Sequence, residues 1–96
     1  MYKDEYHPQI KKDLKKLDPK LRKTIEAECI PEILSAPEKG DTLVGDLRGI
    51  RSYHLTFVKK EYRIAYVIQE DIKTVSVLMI GKREAFYALL KRRIKT

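Results

Sequence analysis

Two segments of alternating apolar and polar residues, joined by a pair of lysines, constrain the fold of this chain more than any other feature. The first runs from Tyr53 to Val58 and the second from Glu61 to Tyr66. In both segments large apolar or aromatic side chains occupy every second position, which is the period of a β-strand. We therefore predict a β-hairpin with a turn at Lys59-Lys60 and with one apolar face that belongs to the core.

The opposite face of the predicted hairpin is polar. With a two-residue loop Val58 pairs with Glu61, and a four-residue loop keeps this register. Thr56 then lies opposite Arg63, and His54 lies on the diagonal, roughly 7–8 Å away at the backbone. A three-residue loop would instead shift the pairing and separate these side chains. The two even loop lengths place an imidazole, a hydroxyl and a guanidinium together on one sheet face.

Two amphipathic helices are predicted before the hairpin. The first begins near Pro8 and has apolar residues at i, i+4 and i+7 from Ile10, so its lysines and Asp13 are expected to face solvent. The second begins with Asp18 as its N-cap and Pro19 at its first helical position, and it ends by residue 37. Together these segments predict an αα-hairpin that packs against a sheet.

Two residues of the second helix carry further expectations. Pro31 has no backbone donor and its ring clashes with the carbonyl of Ala27, so we expect a kink or a break near Ile30. Cys29 is the only cysteine, which excludes an internal disulfide and a cysteine-based zinc site. Because Cys29 lies within an apolar helical pattern, we predict that it is a small buried residue rather than a nucleophile.

Shorter patterns predict the remaining elements. Residues 2–6 alternate weakly and are polar enough only for an edge strand, and residues 43–47 are expected to form a short strand. Residues 73–80 are almost continuously apolar, which is typical of a strand buried on both faces and therefore of the central strand. A last helix covers residues 85–94. Its inward side chains are expected to be Phe86, Leu89 or Leu90, and Ile94.

The order of these elements predicts the fold class. A strand, two helices, three or four strands and a final helix follow one another without βαβ alternation. This order indicates an α+β protein with two N-terminal helices packed on a mostly antiparallel three- to four-stranded sheet, and with a short C-terminal helix. The 96 residues are enough for one core, so we predict a single domain over residues 1–96.

The charge of the chain restricts its partners. Lysine and arginine number 21 and aspartate and glutamate 14, giving a formal net charge of +7, which favours polyanions such as nucleic acid or an acidic protein segment. The N-terminus has no apolar signal core. No apolar run approaches the roughly 18–20 residues needed to span a bilayer. We therefore expect a cytoplasmic protein without a membrane partner.

The chemistry suggested by the residues is directed at phosphate. The sequence has no glycine-rich phosphate loop, no metal-ligand cluster and no nucleophile elbow. Cleavage of RNA by its own ribose 2′-OH needs a base, an acid and cations for the charge that builds on the phosphate. Histidine, arginine and tyrosine can supply proton transfer, phosphate binding and base stacking without a metal or cofactor. A plausible set is His54, Arg63, Arg83 and Tyr87, provided that the last helix begins beside the polar hairpin face.

Each member of this set also has a structural interpretation. His54 can be a half-exposed sheet residue, Arg63 can form an ion pair with Glu61 or Asp46, and Tyr87 can be a core aromatic. The spacing of the residues alone does not decide between the two interpretations.

Three motifs in order resemble those of the RelE/ParE superfamily of bacterial and archaeal toxins. They are the segment Gly45 to Tyr53, the segment Glu61-Tyr62-Arg63-Ile64-Ala65-Tyr66, and Ile80-Gly81-Lys82-Arg83-Glu84 followed by Tyr87. The resemblance covers nearly the whole chain. It implies a sheet with two N-terminal helices packed on it. In the RelE branch it also implies cleavage of mRNA in the ribosomal A site without a metal, and a cognate antitoxin that wraps the toxin and covers its basic site.

The resemblance also assigns roles to residues. Arg63 and Arg83 match arginines that contact the phosphate and the transition state, and Tyr87 matches a tyrosine that stacks on or orients the RNA. Where some RelE members carry lysines this chain has His54 and Thr56, and His54 is expected to supply the base or acid. Further positive charge at the RNA is expected from Arg48, Arg51, Lys59, Lys60 and Lys82.

Three functions follow as alternatives from this resemblance. The first is a metal-independent, ribosome-dependent endoribonuclease, the toxin of a toxin–antitoxin pair, with mRNA, the ribosomal small subunit and an acidic antitoxin as partners. The second is a ParE-like inhibitor of DNA gyrase without nuclease activity. The third is a remnant without toxicity whose only partner is an antitoxin. The arginines and the tyrosine favour the first, because a gyrase inhibitor has no need of them.

Overall fold

The computed structural model of the protein describes residues 1–95, which form one five-stranded sheet with helices on both faces. The elements in chain order are β1 Lys3–Tyr6, α1 Ile10–Lys15, α2 Pro19–Thr24, a π-helical turn Ile25–Cys29, α3 Ile30–Ser35, a 3-10 turn Pro37–Lys39, β2 Asp41–Thr42, a 3-10 turn Gly45–Leu47, β3 Arg51–Phe57, β4 Lys60–Gln69, a 3-10 turn Glu70–Ile72, β5 Thr74–Lys82 and α4 Phe86–Lys95. None of these helices is long and apolar enough to cross a bilayer.

The strand order in the sheet is β1-β5-β4-β3-β2, and only the β1–β5 pair is parallel. The predicted α+β class with a mostly antiparallel sheet is therefore confirmed, with five strands instead of three or four. The polar β1 lies at an edge, as its composition predicted. The apolar β5 is paired on both sides, but it is the second strand, and β4 rather than β5 is the central one. The strand predicted at residues 43–47 is wrong: the strand is the two-residue β2, and residues 45–47 form a 3-10 turn.

Both faces of the sheet carry core residues. The α1–α3 side packs on the face of Ile64 and Tyr66, whereas α4 and the loop before β3 pack on the face of Ala65 and Met79. This division follows from the alternation of side chains along β4. The polar face of the hairpin is thus polar only near the hairpin tip, because α4 and an apolar loop cover the rest of it.

The hairpin of β3 and β4 has a different turn from the predicted one. The two turn residues are Val58 and Lys59, both with positive φ (49° and 65°), as in the turns whose twist matches that of paired strands. His54 is therefore directly opposite Arg63. The register differs from the prediction by two residues, so each side chain stays on its predicted face. A period of two cannot distinguish these registers, because both place apolar residues opposite apolar residues.

The helix after Asp18 begins as predicted. The Asp18 carboxylate accepts a hydrogen bond from the Lys20 N–H at 2.7 Å, and Pro19 follows as the first helical residue. Near Pro31 the helix does not break but takes in a π-helical turn, in which the Ile30 N–H donates to the carbonyl of Ile25. Cys29 at the end of this turn is buried, as predicted, and burial raises the pKa of its thiol.

An ion pair between α1 and α4 was not anticipated. Asp13 and Arg93 are joined by two hydrogen bonds of 2.7 and 2.8 Å, with side chains only 8% and 13% exposed. Asp13 also accepts a bond from the Ile80 N–H, and Arg93 donates to the Leu78 carbonyl. These two side chains therefore bond backbone groups of β5 beyond the point where β1 ends, where β5 has no neighbouring strand on that side.

The expectation that Asp13 faces solvent is therefore wrong. The inward residues of the last helix are Phe86 and Leu90, whereas Leu89 and Ile94 are exposed. The inward positions near the C-terminal end are thus partly taken by the guanidinium of Arg93.

Candidate active site

The polar end of the sheet is built from three neighbouring strands. Arg63 on β4 lies between His54 on β3 and Gly81 on β5. Arg83 follows two residues after Gly81, so its side chain belongs to the same face. The Arg83 N–H extends the ladder by donating to the Glu61 carbonyl at 3.0 Å. Three of the four side chains selected from the sequence are therefore brought to one face by strand register alone.

The fourth, Tyr87, comes to Arg63 from the helix. The guanidinium carbon of Arg63 lies 5.0 Å from the centre of the Tyr87 ring, in a cation–π contact. Tyr87 also makes an edge-to-face contact with the buried Phe86, at 5.6 Å between ring centres and 84° between planes. Arg63 therefore occupies one face of the tyrosine ring, and RNA can stack on that face only if Arg63 moves.

Arg83 forms an ion pair with Glu61. Its Nη1 atom lies 2.9 Å from Oε2 of Glu61, and both side chains are about half exposed. Among the described residues, Arg63 forms an ion pair with neither of the partners considered for it. Glu61 pairs with Arg83 instead, and Oδ2 of Asp46 lies 3.9 Å from Nζ of Lys91 on α4. Arg83 precedes the first residue of α4, so it is placed by the sheet and not by the helix.

His54 has a carboxylate beside it. Its Nε2 atom lies 3.6 Å from Oδ2 of Asp41, and the imidazole is 41% exposed. Asp41 pairs with Ser52 in the β2–β3 ladder, which places its side chain diagonal to His54. Nε2 is the ring nitrogen that faces Asp41, and Nδ1 is the one that does not.

The other predicted cations lie at three places. Lys59, Lys60 and Lys82 are exposed and line a notch of about 290 Å³ at the hairpin tip together with Glu61, Arg83 and Glu84. Arg48 is exposed at the end of its 3-10 turn.

Arg51 lies elsewhere. Its guanidinium donates to the carbonyls of Glu38 and Gly40 at 2.8 and 3.0 Å. It is opposite Tyr66 in the ladder, hence on the other face of the sheet from His54. Arg51 therefore holds the loop before β2 and lies apart from the other cations that were predicted to contact RNA.

Two carboxylates lie at the site in roles that the sequence did not predict: Glu61 was considered only as a partner of Arg63, and Asp41 was not considered. Glu61 shares its parity along β4 with Arg63, so its place on the polar face could have been read from the hairpin. Asp41 had no such signal, because a two-residue strand after a surface loop leaves no periodic pattern.

The arrangement has a clear chemical character. Two guanidinium groups are held on one sheet face, one by an aromatic ring and the other by a carboxylate, beside an imidazole that is accessible to solvent. Such a group can bind an oxyanion through fixed forks of donors and transfer a proton next to it.

Comparison with solved structures shows which known folds this one is similar to. The fold is similar to the RelBE2 toxin–antitoxin complex of Mycobacterium tuberculosis (TM-score 0.75, 24% identity, 85% of this chain and 98% of that one). It is also similar to a free mutant of the E. coli toxin RelE (TM-score 0.74, 22% identity, 97% of both chains). A third similar structure is the intact E. coli RelBE complex (TM-score 0.70, 20% identity, 88% of this chain and 99% of that one).

The family is established by sequence. No curated protein sequence matches the chain, but the family model for the ParE-like toxin of type II bacterial toxin-antitoxin systems matches residues 5–91. These residues include the sheet except for the first two residues of β1, the ion pair of Arg83 and the contact of Arg63 with Tyr87. The chain belongs to the ParE-like toxin family of type II toxin–antitoxin systems.

Proposed function

We propose that this toxin is a metal-independent, ribosome-dependent endoribonuclease that cleaves mRNA in the ribosomal A site and thereby inhibits translation. The observation that carries the proposal is the convergence of His54, Arg63 and Arg83 on one end of one sheet face, with Tyr87 against Arg63. A protein that acts only by covering a partner surface has no need for an imidazole and two arginines at a common point.

The proposed reaction is attack of a ribose 2′-OH on the adjacent phosphorus. A new bond forms between the 2′ oxygen and phosphorus, and the bond from phosphorus to the 5′ oxygen breaks. His54 serves the proton transfer that removes the 2′ proton or protonates the departing oxygen. Arg63 and Arg83 bind the non-bridging oxygens and stabilise the charge of the transition state. Tyr87 holds Arg63 and positions the RNA.

The basic surface around the site supports binding of RNA. Arg48, Lys59, Lys60 and Lys82 are exposed, and we assign them to the phosphate backbone. We assign the exposed lysines of α1, which lies against the other face of the sheet, to separate contacts with ribosomal RNA. Contacts of this type release counterions, so binding to the ribosome is expected to weaken steeply as salt is raised.

An antitoxin is the second proposed partner. Two of the structures with this fold are complexes of a toxin with its antitoxin. The net charge of +7 fits an acidic cognate antitoxin that wraps the toxin and covers the basic face. Both activities place the protein in the cytoplasm.

A translation reaction tests the function directly. Purified protein added to such a reaction should cut the mRNA within codons, and Arg63→Ala and Arg83→Ala should each abolish both cleavage and growth arrest while the fold persists. A gyrase supercoiling assay is run in parallel. Intact mRNA together with loss of supercoiling would reject the nuclease and favour the gyrase inhibitor. Intact mRNA and normal supercoiling would leave a protein whose only partner is the antitoxin.

A further inference from the structure

Glu61 is a charged residue at the site that the proposed reaction does not use. Its side chain bonds the guanidinium of Arg83 at 2.9 Å, and its backbone carbonyl accepts the Arg83 N–H at 3.0 Å. Arg83 lies one residue beyond the end of β5, so the sheet sets the face on which it lies but does not fix the conformation of its long side chain. Glu61 on β4 therefore attaches this arginine to the sheet at two points.

The ion pair contributes little to the stability of the fold. Its two side chains are 57% and 49% exposed, and exposed ion pairs contribute little to the free energy of unfolding because water and salt screen them. An arginine side chain, however, loses considerable rotational entropy when it is fixed in one conformation. A partner that fixes it in the free protein removes this cost from the step in which the phosphate binds.

The geometry of the bond leaves Arg83 able to bind a phosphate. Glu61 engages the Nη1 atom of Arg83, and a guanidinium has five N–H donors in a planar fork. Tyr87 supports Arg63 in a comparable way, through its ring rather than through a charge. Each of the two arginines is thus held by a different side chain, and Glu61 is the support of Arg83.

We propose that Glu61 is a positioning residue that orients Arg83 toward the scissile phosphate of the RNA. The proposal rests on the nuclease function proposed above. It predicts the direction in which the cleavage rate changes when Glu61 is removed, because a carboxylate beside an RNA site also repels phosphate. If Glu61 acted only through this repulsion, its removal would tighten binding and speed cleavage. If it positions Arg83, its removal slows cleavage although a repulsive charge has been lost.

The test compares Glu61→Ala, Glu61→Gln and the wild type in ribosome-dependent cleavage of mRNA. We expect Glu61→Ala to lower kcat about tenfold or more, with little change in the KM for ribosomes. Glu61→Gln should recover most of the rate, because its amide oxygen still accepts a bond from Nη1. Asp71→Ala is the matched control: Asp71 is exposed in the turn between β4 and β5, it makes no ion pair among the described residues, and its loss should leave kcat unchanged.

A double-mutant cycle shows whether Glu61 acts through Arg83. In an Arg83→Lys background, which keeps a charge and a measurable rate but loses the fork, Glu61→Ala should have a much smaller effect than in the wild type. Equal effects in both backgrounds, or faster cleavage by Glu61→Ala, would overturn the inference and leave the nuclease function standing. Absence of cleavage by the wild type would remove the nuclease function and this inference with it.

Discussion

Tyr87 offers two groups to the site, and the structure separates them. Its ring face supports the guanidinium of Arg63 at 5.0 Å, while the phenol oxygen is a separate polar group at the end of the ring. The family resemblance assigns the tyrosine to the RNA. The contact with Arg63 adds a second purpose, which is to fix an arginine whose side chain has few other constraints.

Substitutions of Tyr87 should distinguish the two purposes. Tyr87→Phe keeps the ring and its cation–π contact, so Arg63 stays in place and the rate falls only by the contribution of the hydroxyl. Tyr87→Leu removes the contact as well, and we expect a further loss of about tenfold, in line with roughly 0.5–2 kcal/mol for such contacts. Cleavage rates of the two variants measure this difference. Equal rates would show that the ring does not support Arg63.

His54 is the residue by which this chain departs from RelE members that carry lysines on the same strand. If it transfers the proton, His54→Gln should lower the cleavage rate about 100-fold or more while the fold persists. Thr56→Ala, two residues along the same strand face, is the control and should retain its rate. Near-normal cleavage by His54→Gln would show that His54 has only a structural role in the sheet.

Among the elements, α4 is held to the rest of the fold by contacts of two kinds. Phe86 and Leu90 pack into the core on the sheet face of Ala65 and Met79. Arg93 pairs with Asp13 of α1. This ion pair is buried, so its energetic behaviour differs from that of the exposed pair between Lys91 and Asp46 at the other side of the helix. The buried pair thus links the first and last helices across the edge of β5.

Removal of one partner exposes this difference. Asp13→Ala removes two charge-assisted hydrogen bonds to the buried Arg93 and the acceptor for the Ile80 N–H, so we expect a loss of about 3–5 kcal/mol in the free energy of unfolding. Asp46→Ala should change it by less than about 1 kcal/mol. Urea denaturation of both variants measures the two values. Similar values would contradict the distinction between buried and exposed pairs in this protein.

The elements that could be predicted are those with local signals. The cap at Asp18, the first helical proline and the apolar stretch of β5 each act within a few residues, and all three appear as expected. The Asp13–Arg93 pair could not be predicted, because its members are far apart in the chain and meet only where β1 ends short of β5. The turn at Val58-Lys59 was not predicted, because a β-branched residue such as valine rarely adopts a positive φ.

At the scale of the whole molecule, the candidate site was predictable in part. The period of two along β3 and β4 placed His54 and Arg63 on one face, and this survived an error of two residues in register. The same reasoning could have excluded Arg51, which has the opposite parity. The neighbours that hold the site in shape are different: Asp41 and the Tyr87 ring reach it from outside the hairpin, and only the folded chain brings them there.

In the proposed reaction this basic face directs a ribose 2′-OH against the neighbouring phosphate. The most direct measurement uses two mRNAs translated in the presence of the protein, identical except that one carries a single 2′-deoxynucleotide on the 5′ side of the cleaved bond. We predict cleavage of the all-ribose mRNA, with a 2′,3′-cyclic phosphate and a 5′-hydroxyl as the new ends, and no cleavage of the deoxy-substituted one. Equal cleavage of both mRNAs, or products with a 5′-phosphate, would show that the ribose 2′-OH is not the attacking group.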